Sequence, residues 1–409
     1  MSEPLVVIGN GMAAARFVEE LAKRSLGRYA VAVIGEEPRL AYNRVLLSSV
    51  LAGEVTSQDI ELQSAAWWRD RGVTVTYGCA ATAIDLAKRS VILANGVDVG
   101  FSKLVLATGS NALRLTVPGA ELPGVHTFRD SRDVVQLLDL AAQRKRVVVV
   151  GGGLLGLEAA YGLAKAGAQV TLLHLMDRLM ERQLDDAAAT LLKRLVEAKG
   201  VDVCLSANTA QILGFDHVEG VQLTDGQTIT ADAVIFAAGI RPNASLAKAA
   251  GIDVNRGVLV DDQMKTATDG VYALGECAEH RGTCYGLVEP AYEQARVLAG
   301  HLAGRPSHYS GSVVSTNLKV SGVSVFSAGD FLGGEGTESI MFNDRKFDTY
   351  KKLVIANGAL TGAVLVGDTR DALWYLELIR AGGSVAAMRG GLMFGRELSF
   401  ADAVQPKAA

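Results

Sequence analysis

Cysteine is scarce and poorly spaced for chemistry in this 409-residue chain. Cys79, Cys204, Cys277 and Cys284 form no CxxC, no CxxxxC and no Cys/His pair at metal-ligating intervals. This excludes a zinc or iron–sulfur site of the usual kinds, so no metal is expected and the thiols read as core residues of a cytoplasmic protein. The start, MSEPLVVIGNG, runs into a strand without a basic n-region or a small-residue cleavage site, so no export signal is expected. The net charge of −4 gives no global reason to expect nucleic acid. The stretch from Val147 to Leu175 looks like a membrane span, but Gly151, Gly152 and Gly153 interrupt it and Glu158 lies within it. It suits a buried parallel strand and buried helix better.

What is plentiful is glycine, 45 residues, alongside 49% apolar residues, the composition of tightly turned α/β domains. The length is enough for two or three of them. A strand, LVVIG, leads into Gly9-Asn10-Gly11-Met12-Ala13-Ala14 and a helix whose Phe17, Val18 and Leu21 share one face. Gly9 permits the tight turn, Gly11 lets backbone approach a pyrophosphate, and Ala14 takes the third glycine's place at the helix–strand contact. The next strand, AVAVIGEE, brings Glu36 and Glu37 to its end, about 22 residues after the motif, where an acid is expected on a ribose hydroxyl.

The same grammar recurs in VVVVGGGLLGLEAAYG, with Gly151, Gly153 and Gly156, and with Leu154 and Leu155 opening the helix. Its following strand, QVTLLH, ends at His174 in place of an acid. Neutral imidazole can accept the ribose hydrogen bond but does not repel a 2′-phosphate. Arg178 and Arg182 follow closely enough to contribute if their loop folds back. NADH is therefore expected to be used, with NADPH only modestly rejected.

Three further segments complete a pattern: KLVLATGSNA with Ala107, Thr108 and Gly109, DAVIFAAGIRPN with Gly239, and GVYALGECAEH with Gly275 and Glu276. In this order, across residues 1 to about 390, the chain resembles the two-dinucleotide-binding-domain flavoproteins. The resemblance implies an α/β fold of two Rossmann-like domains, the second inserted in the first, plus an α+β C-terminal domain. The FAD-binding domain would comprise 1–112 and 238–309, the NAD(P)H-binding domain 113–237, and the C-terminal domain 310–409, with a hairpin turned at Asn357-Gly358. FAD would stay on the first fingerprint, with NADH or NADPH as substrate on the second. Glu276 would stand on the FAD ribitol in place of the family's Asp. Arg129 would approach FAD, Ala81 would pair with adenine through its backbone, and Lys319 would add charge at the flavin edge. A helix opening at Pro290, with Tyr292 in its first turn, would aim its positive end at the flavin pyrimidine.

The stretch AYNRVLLSSVLAGE, from Ala41, has no cysteine where disulfide reductases of this family carry CxxxxC. Tyr42 and Arg44 match the YxRPPLSK pattern of oxygenase ferredoxin reductases, whose Arg contacts FAD and whose Lys pairs with a Glu of the second fingerprint helix. Here that Glu is Glu158, the expected catalytic residue, and the Lys position is Ser49. YNRVLLS, HLMDRLMERQLD and NLKVSGVSVFSAGD are more similar to the flavin module of bacterial assimilatory NAD(P)H nitrite reductase large subunits, and rubredoxin reductases are similar too. The resemblance implies an NAD(P)H oxidoreductase passing electrons to an external acceptor protein: a nitrite or nitrate reductase component, a ferredoxin or a rubredoxin. A flavin-binding redox sensor and a thiol-independent NADH oxidase remain alternatives, and a homodimer stays open.

Overall fold

The computed structural model describes residues 2–25, 27–320 and 322–399, those at 317–320 by backbone alone. The chain forms two compact units, 1–47 with 55–113 and 240–312, and 48–54 with 114–239 and 313–409.

The first unit is built on a five-stranded parallel sheet in the order Val271–Ala273, Lys103–Leu106, Glu3–Ile8, Tyr29–Ile34, Thr74–Thr76. Its central strands read as near-continuous apolar runs because helices or other elements cover both faces. Val6, Val7, Leu104 and Val105 are at most 1% exposed. The helices Met12–Ser25 and Val288–Leu302 pack together on one face, sharing a core of Phe17, Leu21, Ala295 and Leu298. Trp68 is buried in that core, while the Trp67 ring lies under the Arg71 guanidinium, so the tryptophan pair is a packing seam. The latter helix begins at Val288, two residues before Pro290. Proline is tolerated there because a residue in the first turn has no intrahelical N–H bond to lose.

The second unit repeats this sheet in the order Val201–Cys204, Gln169–Leu173, Arg146–Val150, Ala233–Phe236, Val125–Thr127, again all parallel. Each unit also carries a three-stranded antiparallel sheet, Ala81–Asp85, Ser90–Leu93 and Asp98–Gly100 in the first, Thr209–Leu213, Gly220–Leu223 and Thr228–Thr230 in the second. The copies differ in one edge strand, which comes late in the first unit's chain and early in the second's.

The second unit ends in a five-stranded antiparallel sheet over Ser315–Val366, covered by the helix Ala372–Ala381. Its central hairpin joins Thr349–Ala356 to Ala359–Val366 through Asn357-Gly358, both at positive φ, the two-residue turn whose twist matches paired strands. A buried polar knot ties this sheet to the nucleotide-binding part of the unit. Asp185 caps the helix Asp186–Glu197 by accepting from Ala188 N, and it also accepts from the Tyr350 hydroxyl at 2.6 Å, with Lys352 Nζ 3.6 Å away. Desolvation and the adjacent carboxylate push the Tyr350 hydroxyl well above its ordinary value, so it stays protonated and donates.

Removing Asp185 takes away a cap worth about 1 kcal/mol and leaves a largely buried ammonium short of its counter-charge. Asp185→Ala is expected to destabilise the protein by about 2 to 4 kcal/mol and Tyr350→Phe by about 1 kcal/mol, measured by urea denaturation. Equal losses in the two variants would show that the hydroxyl alone carries the contact.

Candidate functional site

The two fingerprint loops are built by the same bonds. In the first, Gly9 N donates to Ile34 O and Ala107 N to Ile8 O; in the second, Gly151 N donates to Leu173 O and Ala237 N to Val150 O. Gly9 has φ +113° and Gly151 φ +127°. A Cβ on Gly9 would lie 2.1 Å from Ala107 O, and one on Gly151 2.4 Å from Ala237 O. Only glycine fits where the turn presses on the facing strand. At the third position Ala14 fits, fully buried, whereas a Cβ on Gly156 would strike Gly151 O.

Open space lies where side chains on Gly11 and Gly153 would stand, and Gly153 caps its helix with backbone only. Neither fingerprint helix has an acid in its first turn. Each loop therefore presents helix-start N–H groups with no acid in the helix's own first turn to compete for them, the setting an anion or pyrophosphate requires. Met12 and Ala13 open the first helix, Leu154 and Leu155 the second. Asn10 donates its amide to Arg39 O, while its buried Oδ1 accepts from no described residue. That orphaned acceptor beside the loop fits a bound group carrying hydroxyls.

Around the first loop, Glu36 is exposed at the strand end, whereas Glu37 accepts from the Tyr42 hydroxyl at 2.7 Å and pairs with Arg44. Glu37 thus orients Arg44. Ala81 opens its strand opposite Leu93. Thr108 is fixed by its hydroxyl on Asn243 O. Glu276 Oε2 accepts from the Ser110 hydroxyl at 2.7 Å and lies 4.0 Å from where a Gly109 Cβ would be, so the ATG strand and the closing motif meet. Gly275 N donates to the buried Gln294 Oε1 at 2.7 Å. Ser110 and Gln294 escape motif reading, because each acts on a partner far along the chain. Tyr292 lies under the Arg16 guanidinium. Glu289 stands in the first turn of the helix that Pro290 was expected to open.

In the second unit, His174 departs from expectation. Its ring turns under the glycine loop, where Nδ1 accepts from Gly152 N at 3.0 Å and Nε2 faces Glu181 Oε2 at 3.1 Å. A Cβ on Gly152 would overlap this ring. The lone pair expected to accept from a ribose hydroxyl is already engaged by backbone. The loop does fold back, since Met180 N donates to Gly152 O. Arg178, however, pairs with Asp177 and Asp186, and the Arg182 side chain is 86% exposed. Gly239 follows the facing strand at φ +126°. Arg129 donates its backbone N–H to Asp133 within the capping box of the helix Ser131–Ala142. The Lys319 side chain lies outside the described residues.

Glu158, two residues past Gly156, is 8% exposed. Its partner is the hydroxyl of Ser48, on the segment 48–54 that crosses into this unit. Burial pushes its carboxyl up to about 7, and the Ser48 hydrogen bond only partly offsets this. The same segment packs Leu51 where a Gly162 side chain would lie and pairs Glu54 with Lys165 at 2.6 Å. None of the four cysteines forms a disulfide, and burial pushes the thiols of Cys204, Cys277 and Cys284 upward. Among the described residues no cluster could hold a metal ion, and no helix is long and apolar enough to cross a membrane.

Two nucleotide-binding folds in one chain, each with an open glycine-rich helix start, define an oxidoreductase of the class that pairs FAD with NAD(P)H. The chain belongs to the pyridine nucleotide-disulphide oxidoreductase family, which matches residues 3–297, and residues 315–382 match the rubredoxin NAD+ reductase C-terminal domain. It is 44% identical over 377 residues to a nitrite reductase [NAD(P)H] of Bacillus subtilis (92% of this chain, 47% of that protein). It is 42% identical over 374 residues to the assimilatory nitrate reductase electron transfer subunit of the same organism (91% and 48%). The chain spans about half the length of these relatives. Among solved structures it is similar to the ferredoxin reductase for the CYP199A2 system of Rhodopseudomonas palustris, with TM-score 0.86 and 25% identity over 94% of this chain and 96% of that one. It is also similar to NADH:rubredoxin oxidoreductase of Clostridium acetobutylicum, with TM-score 0.77 and 26% identity over 94% and 97%.

A carboxyl whose proton affinity is raised in the folded state stabilises the fold fully below its unfolded value near 4.5, and that contribution is lost as pH rises through about 7. Glu158→Gln removes the titration. The variant should therefore gain on the wild type by about 2 to 3 kcal/mol between pH 5 and pH 8, since each tenfold change in proton affinity is worth about 1.4 kcal/mol. Urea midpoints of the FAD-saturated proteins across this range test it; parallel pH profiles would mean that Glu158 is ionised in the fold.

Proposed function

We propose that this chain is the flavin-bearing reductase of an electron-transfer system, oxidising NADH or NADPH and serving an external acceptor protein. The acceptor is a nitrite or nitrate reductase component, a ferredoxin or a rubredoxin. The observation that carries the reading is the duplicated loop geometry at Gly9 and Gly151, with no thiol in the segment 41–54.

In this reading the first unit holds FAD. N–H groups of 11–14 take the pyrophosphate, Glu36 takes a ribose hydroxyl, Arg44 is oriented by Glu37, and Glu276 is oriented by Ser110. Gly151, Gly153 and Gly156 hold the nicotinamide nucleotide. FAD, when bound, supplies two-electron acceptance from a nicotinamide and one-electron release towards a protein acceptor. Glu158 presents a carboxyl that is half protonated near neutral pH, with Ser48 holding it. With no cysteine in the segment 41–54, this reading puts no thiol relay beside the flavin. Electrons therefore leave directly.

The purified protein is expected to be yellow, with one FAD per chain released by denaturation alone. NADH should bleach it anaerobically and drive ferricyanide reduction, and both should largely persist when all four cysteines are replaced by serine. A protein that cannot be loaded with FAD would overturn the reading, as would a folded Cys-free variant that NADH reduces but that passes no electrons to dye. Rapid oxygen uptake without an acceptor would favour the oxidase, and reduction without turnover on any acceptor the redox sensor.

A further inference from the structure

We propose that Glu181 reads the 2′ position of the adenosine ribose and makes the second fingerprint selective for NADH. This rests on the reading that this fingerprint binds a nicotinamide nucleotide. In such folds the strand after the glycine loop ends beside that ribose, and an acid there accepts from the 2′-hydroxyl and repels a 2′-phosphate. The strand Gln169–Leu173 delivers His174 instead, and both ring nitrogens are taken, one by the loop's own backbone. The Nδ1 contact requires an unprotonated acceptor, so Nε2 carries the proton and donates to Glu181. His174 is thus a positioning residue, joining the glycine loop on one side to a carboxylate on the other.

That carboxylate sits at the end of the strand although it comes from seven residues further along. The intervening turn is anchored: Leu179 and Met180 are fully buried, as is Leu184 just beyond Glu181, Met180 N donates to Gly152 O, and Ser206 N donates to Met176 O. Met180 holds φ +52°, a left-handed conformation that reverses the chain just before Glu181. The Glu181 side chain keeps 24% exposure, with Oε2 on His174 and Oε1 3.9 Å from Arg182 Nε. One oxygen is held by the imidazole, and in this proposal the other takes the ribose hydroxyl. Of the two nearby arginines, Arg178 is shared between Asp177 and Asp186, and Arg182, 86% exposed, stands 3.9 Å from Glu181 itself.

The test uses the FAD-loaded full chain and measures Kd by calorimetry for NAD+, NADP+ and 2′-deoxy-NAD+. The wild type should bind NAD+ at least about tenfold tighter than either other ligand, as loss of a hydrogen bond to a charged group implies. Glu181→Gln keeps an acceptor for His174 Nε2–H but removes the charge. It should cut the NAD+/NADP+ preference about tenfold and lower the 2′-deoxy penalty severalfold without abolishing it, since the amide can still bond the hydroxyl but without the charge. A general loosening of the loop would weaken all three ligands alike and leave both ratios in place. Unchanged ratios in the variant would overturn the proposal, and so, without any variant, would equal binding of NAD+ and 2′-deoxy-NAD+ by the wild type. Binding of neither NAD+ nor NADP+ would instead overturn the nucleotide reading on which the proposal stands.

Discussion

A single close contact organises both halves of this chain: the first glycine of each fingerprint pressed against the carbonyl of the strand beside it. Gly9 meets Ala107 O and Gly151 meets Ala237 O, at separations no Cβ can share. The contact sets where the first strand stops, since the same backbone donates across to the neighbouring strand at Ile34 and Leu173. It also sets where the helix starts, with Ala15 N on Gly11 O and Leu157 N on Gly153 O. The phosphate-binding character of the loop follows from packing. A chain turned this tightly has no room for side chains and leaves its helix-start N–H groups facing outward.

Given that shared frame, the two units differ in how they complete the site. In the first, Glu37 orients Arg44 as an ion pair and the Ser110 hydroxyl orients Glu276. In the second, Glu158 has the neutral hydroxyl of Ser48 for a partner, and burial then governs its protonation. An ammonium in that place would favour the carboxylate, whereas a hydroxyl cannot balance the desolvation of a charge. Ser49 stands where the resembled motif has its Lys, and the hydroxyl that reaches Glu158 comes from the neighbouring Ser48.

The fingerprints, their order and the hairpin at Asn357-Gly358 are legible in the sequence because each depends on local geometry that few residues satisfy. The Tyr42–Arg44 pattern is legible as a motif, but the role of Glu37 in orienting it is not. Contacts between distant segments leave no local mark: Ser48 meets Glu158 and Tyr350 meets Asp185 only after the chain has folded. His174 defeats sequence reading for a related reason. Position at a strand end places a Cα, yet whether the ring turns towards ligand or towards backbone is decided by the space left at Gly152, the one loop position where a side chain would collide with it.

The two bonds of the His174 ring are ones an acid at the strand end could not make together. A carboxylate at residue 174, turned inward, could accept from Gly152 N but could not also donate to a second group. Neutral imidazole does both, accepting at Nδ1 and donating at Nε2. The requirement for negative charge beside the ribose is then displaced to whichever residue receives that donated proton, which is Glu181. Selectivity and loop rigidity, ordinarily assigned to one acid, are here divided between two residues coupled through a ring. Because Nε2 of that ring bonds Glu181 directly, a change at either residue acts on the other.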